Sequence, residues 1–217
     1  MKHPVILLLG ALSIGLTSGC VTGMRSFDVA VPPAESYIKN SAKGAIAIGA
    51  IADLRHFENK PGDPSTPSIN GDVNDLSAEA RSRFIGRQRN TYGHAMGDIT
   101  FPEGQTVQTK VADLLREGLR RRGYEIAGSA APESTVTAEI QQFWSWATPG
   151  FFAMSFEAQI TCKVTVTSGG KQATFVVKGY GLNHGQIAKD GNWRETYDAA
   201  FQDFLTNLNQ QLDATGF

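Results

Sequence analysis

The chain is 217 residues long, with 20 basic and 21 acidic side chains, a formal charge of −1 and 41% hydrophobic residues. A charge this close to balance indicates neither a basic groove for nucleic acid nor a polybasic membrane patch. The length fits one domain of ordinary size together with a leader and a tether.

Met1-Lys2-His3 is a short basic end, and Pro4 to Leu16 is an apolar run, too short to span a bilayer, for which about 20 residues are needed. These are the proportions of a secretory signal, so residues 1–19 are expected to be removed. Thr17-Ser18-Gly19 leads into Cys20, and this resembles the lipobox of bacterial lipoproteins. In that motif the cysteine is lipidated, palmitate being among its acyl chains, and becomes the first mature residue. Thr17 stands where the motif usually has leucine, with Leu16 one place further back. Val21, where an aspartate would resemble the inner-membrane retention signal, points to the outer membrane and a domain facing the periplasm. Residues 20–44 read as lipidated N-terminus and tether, because they include Pro32-Pro33 and several Ser, Asn and Gly. The alternation of Phe27, Val29 and Val31 offers an edge strand.

A single domain is expected over 45–217. Ala45 to Asp53 is an apolar run of strand length that suits burial on both faces. Residues 54–105 show little periodicity. In Val107 to Arg121, Val107, Val111, Leu114, Leu115 and Leu119 fall on one helical face. Thr106 is placed to cap that helix, and Arg120-Arg121-Arg122 before Gly123 suits its negative end. Extended segments follow at Tyr124 to Ile126 and Thr135 to Trp146. Phe152 to Thr167 alternates apolar with polar residues over eight pairs, placing Cys162 on the dry face as a core side chain. Ser168-Gly169-Gly170-Lys171 then turns the chain into a partner strand from Ala173 to Leu182. The last element carries Trp193, Tyr197, Ala200, Phe201, Phe204, Leu205, Leu208 and Leu212 at a 3.6 period, with Asn192 and Glu195 spaced as a capping box. The predicted fold class is α+β, an antiparallel sheet with two amphipathic helices packed on one face.

The stretch from Val107 to Tyr180, with "LRRRGYEI", "TVTAEIQQFW" and the strand pair around "GGK", resembles the YajG-like family of uncharacterised bacterial envelope lipoproteins. The resemblance is one of architecture and covers roughly the C-terminal two thirds. It implies an outer-membrane-anchored periplasmic domain and carries over no catalytic residue.

Function is sought in the irregular stretch, since structureless loops beyond about 12–15 residues in a compact domain tend to be functional or disordered. Its first half, with prolines at 61, 64 and 67, reads as an exposed loop. Its second half, "RFIGRQRNTYGHAMGDITF", offers Arg87, Arg89, Asn90, Tyr92 and His94 as partner-binding residues, a set suited to a carboxylate, a glycan or a protein edge. The other reading of the same residues is a hairpin whose arginines pair with Asp53, Asp98 or solvent.

No enzyme signature stands out. The phosphate-loop and nucleophile-elbow patterns are missing, and His56, His94 and His184 lack metal-ligand spacing on any one element. The protein is read as a non-enzyme without cofactor or metal, of undetermined oligomeric state. Two functions remain open. The first is a binding or assembly module for an envelope protein, acting through residues 83–98 or the polar sheet face. The second is a domain binding cell-wall glycan or peptide, with Trp144, Trp146 and Trp193 as stacking surface.

Overall fold

A computed structural model describes residues 23–33, 42–90, 92, 94–128 and 134–217. Cys20 and most of the expected signal and tether lie outside these residues. Among the described residues the chain forms eight strands: β1 (Arg25–Ser26), β2 (Gly44–Asp53), β3 (Phe84–Arg89), β4 (Ala95–Thr100), β5 (Tyr124–Ile126), β6 (Thr135–Pro149), β7 (Met154–Ser168) and β8 (Lys171–Gly185). The helices are α1 (Ala78–Arg81), α2 (Val107–Arg121) and α3 (Asp190–Thr215).

The α+β class with two substantial helices on the sheet is what the chain adopts. The sheet itself is mixed. The meander β6-β7-β8 and the hairpin β3-β4 are antiparallel, whereas β2 pairs in parallel with β5 and β6, β3 with β6, and β1 with β4. β2, β3, β5 and β6 therefore all run in one direction and β1, β4 and β7 in the other. The long connection from β2 to β3 is thus a crossover that returns the chain in the same direction, whereas α2 joins β4 to a strand of opposite direction.

β7 occupies one edge of β6, so β2 and β3 share the other, lying end to end along it: β2 reaches Ile140 and β3 begins beside Ser145. Arg55 fills the seam. Its side chain is fully buried, and its Nη1 donates to the carbonyls of Phe84 (2.6 Å) and Phe143 (2.9 Å). These carbonyls would otherwise lack ladder partners.

The main core lies between the sheet and α2 with α3. It takes Val107, Val111, Leu114, Leu115 and Leu119 from α2, and the whole apolar stripe of α3 from Trp193 to Leu212. From β7 come Phe156, Ala158, Ile160, Cys162, Val164 and Val166. Thr106 caps α2 by accepting from the Thr109 N–H, and Gly123 follows at φ 88°. Arg121 pairs with Glu117 and reaches the Pro32 carbonyl, while Arg122 holds Asn209, Asp213 and the Phe217 carbonyl. Two of the three arginines thus bind helix ends to neighbouring chain. Gly169 and Gly170 turn β7 into β8 with φ of 57° and 74°, values glycine adopts without steric cost.

Five local expectations are revised. The capping box at Asn192 and Glu195 does not form: α3 starts earlier, at Asp190, and the Asn192 side chain donates to the Ile187 carbonyl. β2 is not buried on both faces, because its small residues Ala45, Gly49, Ala50 and Ala52 line an open face. Phe152 is not on the dry face of β7, because Gly150 N–H to Ala153 carbonyl closes the β6-β7 turn and leaves Phe151 and Phe152 at its tip. The proline-rich loop is not simply exposed either. Ser68, Ile69 and Val73 are buried, and with Phe57 and Leu76 the loop covers Trp144, Trp146 and Phe84 on the sheet face away from the helices. That second core exists because β6 carries large apolar side chains on both faces between Phe143 and Ala147. The segment around Phe27 and Val29, where the sequence suggests a tether, is also buried in the main core behind the short β1.

Candidate functional site

The β3-β4 hairpin and the loop above it enclose a pocket of about 330 Å³, lined among others by Lys60, Ser68, Asn70, Arg87, Arg89 and His94. Arg87 and Arg89 stand two residues apart on β3 and so share a face. The register sets Arg87 directly opposite Asp98 of β4, but Nε and Oδ1 are 3.6 Å apart, an ion pair without a hydrogen bond. The other Asp98 oxygen accepts the Asn70 N–H at 2.9 Å. Burial pushes the Asp98 carboxyl above its usual range, and the Asn70 N–H and Arg87 only partly oppose this. Burial likewise lowers the pKa values of both arginines.

Two buried polar atoms of this lining, Arg87 Nε and Ser68 Oγ, have no hydrogen-bond partner among the described residues. Arg87 is 6% exposed and Ser68 fully buried, so neither finds compensation in bulk water. Arg89 donates to the Pro61 carbonyl at 3.1 Å. Beside it Lys60 takes a left-handed φ of 53°, a conformation that side chains other than glycine seldom adopt. The lining therefore holds three cations, Lys60, Arg87 and Arg89, with Asp98 paired to Arg87 from outside it and Asp63 adding its field at Arg89. Such a set suits an oxyanion, to which a guanidinium offers strong, directed hydrogen bonds. A neighbouring groove of about 530 Å³, bordered by Met24, Asp72, Asp75 and Asp98, has no basic residue in its lining.

The five residues singled out from sequence thus separate. Arg87, Arg89 and His94 meet in the pocket. Asn90 builds the turn, its side-chain oxygen accepting the N–H groups of Tyr92 and His94, both at 2.9 Å. Tyr92 stands exposed at the tip. Arg87 is buried within the pocket wall, and its pairing with Asp98 is the one the hairpin reading anticipates. Lys60, Ser68 and Asn70 escape sequence reasoning, because only the folding of the loop over Trp144 and Trp146 carries them to β3. The tryptophan stacking surface is absent: Trp144, Trp146 and Trp193 are all buried.

No cluster of three or more His, Cys, Asp or Glu able to hold a metal occurs among the described residues. No helix among them is long and apolar enough to cross a membrane.

No curated protein matches the chain. Among solved structures it is similar to a protein from Xanthomonas campestris, at 11% identity and a TM-score of 0.48, over 88% of this chain and 98% of that one. A hypothetical protein from Chlamydia trachomatis aligns at 10% identity and a TM-score of 0.38, over 80% of this chain and 98% of that one. A family model described as uncharacterised lipoprotein matches residues 90–215. That span is more than half of the sequence, and the chain belongs to this family of uncharacterised lipoproteins.

Proposed function

We propose that this protein is a lipid-anchored binding module of the bacterial envelope, and not an enzyme, whose basic pocket receives a carboxylate or phosphate group of an envelope partner. On this reading Cys20 carries the lipid, the domain faces the periplasm from the outer membrane, and the chain falls with the YajG-like group. The observation that carries the binding site is the convergence of two buried donors without partners, Arg87 Nε and Ser68 Oγ, on one pocket with a cationic lining. Desolvated donors of this kind cost free energy unless a ligand or water satisfies them. A carboxylate or phosphate in the pocket neutralises the charge of Lys60, Arg87 and Arg89 and offers acceptors to donors of the lining.

The test is thermal unfolding of the full chain with sodium phosphate or sodium acetate against sodium chloride at equal ionic strength. Either oxyanion is expected to raise the Tm of the natural protein and leave Arg87→Met unmoved by comparison. Equal shifts in both proteins would remove the pocket from the account. Photo-crosslinking in cells from His94, at the pocket's exposed rim, then distinguishes a protein partner, seen as one dominant adduct, from a cell-wall peptide bearing free carboxylates.

A further inference from the structure

Four apolar side chains stand out as the most exposed among the described residues: Phe151 at 93%, Tyr92 at 85%, Phe152 at 84% and Met24 at 66%. They come from three separate parts of the sequence, and the strand registers bring them to one end of the sheet. β3 and β6 run in parallel with Gly86 beside Ser145, so the turn after β3, holding Tyr92, and the turn after β6, holding Phe151 and Phe152, project past the same edge. Met154, where β7 begins, pairs with Gly185, where β8 stops, and this places half-exposed Ile187 at that end as well. Met24 joins them because the Gly23 N–H donates to the Met96 carbonyl at the start of β4. The opposite end of the β7-β8 hairpin is closed by Ser168, Gly169, Gly170 and Lys171, with no apolar residue.

We infer that this end of the sheet lies on the lipid surface, with Tyr92, Phe151 and Phe152 inserted at the level of the headgroups. The inference rests on the reading that Cys20 is lipidated. Two residues, Val21 and Thr22, separate Cys20 from Gly23, and the three steps between them reach about 10 Å at most. An acylated Cys20 therefore holds Gly23, beside the start of β4, within a headgroup layer's depth of the bilayer, and the two aromatic turns stand at this same end of the sheet. Aromatic side chains are the residues best suited to that layer, since their flat apolar rings tolerate its mixed polarity. Phe151 and Phe152 already pack edge to face, with ring centroids 4.7 Å apart, as one wedge. The near-neutral charge of the chain agrees with contact through apolar rings and not through a basic patch.

The test places a tryptophan at the wedge, Phe152→Trp, and another at the far end, Lys171→Trp, in the full chain on vesicles of phosphatidylethanolamine and phosphatidylglycerol with brominated acyl chains. The three native tryptophans are buried and supply a constant background. Intact mass read on the same samples reports acylation of Cys20. The expected result is acylated protein in which added emission at position 152 falls about twofold while that at 171 does not change. Acylation with no quenching at 152, or equal quenching at both positions, would overturn the lipid-facing end and leave the anchor intact. Protein without acyl mass would overturn the anchor. Quenching confined to position 152 would then still support the surface, and its loss would end both.

Discussion

The Arg55 guanidinium grips both oxygens of Asp53, Nε to Oδ1 and Nη2 to Oδ2 each at 2.8 Å, while its remaining hydrogens reach the main chain of β3, β6 and α1. One side chain thereby closes the gap where β2 stops and β3 begins. Arg55→Met should lower the free energy of unfolding by about 3–5 kcal/mol, because it takes the counter-ion from a largely buried carboxylate and this donor from three carbonyls. Urea unfolding followed by circular dichroism measures this, and a loss below 1 kcal/mol would mean that water takes over the seam.

The contact between α3 and β8 depends on glycine. A Cβ at Gly181 would lie 2.0 Å from the Thr196 carbonyl oxygen and 2.7 Å from the Ala200 nitrogen, both in the backbone of α3. Gly181→Ala should cost about 1–3 kcal/mol or more, since the helix must move as a body. Gly191, in the first turn of the same helix, has open space around it. Gly191→Ala should raise stability by about 0.4–1 kcal/mol. Chemical denaturation of the two variants side by side separates close approach from mere loss of glycine.

Cys162 is fully buried, and burial pushes its thiol up to about 12, with the Asp53 charge adding to the shift. At pH 8 the folded protein should resist thiol reagents, because the thiolate is the nucleophile. Labelling should proceed at the rate of global opening and should accelerate with urea in step with unfolding. Rapid labelling in native buffer would show that the core beneath α3 opens locally.

Tyr180 donates its hydroxyl to Glu157 at 2.7 Å across the β7-β8 pair. Burial and this hydrogen bond to a carboxylate raise its pKa from the ordinary 10 to about 12. In the unfolded chain the phenol ionises first, so between pH 10 and 12 the native state holds more protons. Stability from this group is therefore present below pH 10 and declines as pH rises through that window. Glu157→Gln should bring the tyrosine titration back toward 10, as read by absorbance of the phenolate.

The parts of the fold legible in the sequence are those where one periodic stripe meets one surface. α2 spans the residues its spacing predicts, and β7 shows its dry face from Phe156 to Val166, because each stripe has a single burial partner. The loop over β6 was not legible for the converse reason. Phe57, Ile69, Val73 and Leu76 follow no period, and their burial depends on Trp144 and Trp146 facing away from the helices, which strand alternation alone does not reveal. The candidate site divides in the same way. Arg87, Arg89 and His94 are local to one hairpin and could be grouped by eye. Lys60 and Ser68 come from a loop whose path is set by that second core, and the inward turn of Arg87 depends on a register that puts Asp98 opposite it.

The arm that carries Gly23 also determines how the domain bears tension. Its bonds to Met96 and Thr100, together with the β1-β4 pairing, run side by side along a parallel strand pair, and Phe27 and Val29 are sunk in the core behind them. A pull on the chain ahead of Gly23, directed along the strand, therefore loads these bonds together in shear instead of peeling them one at a time. The domain can be tugged from that end without its first strand acting as a zipper.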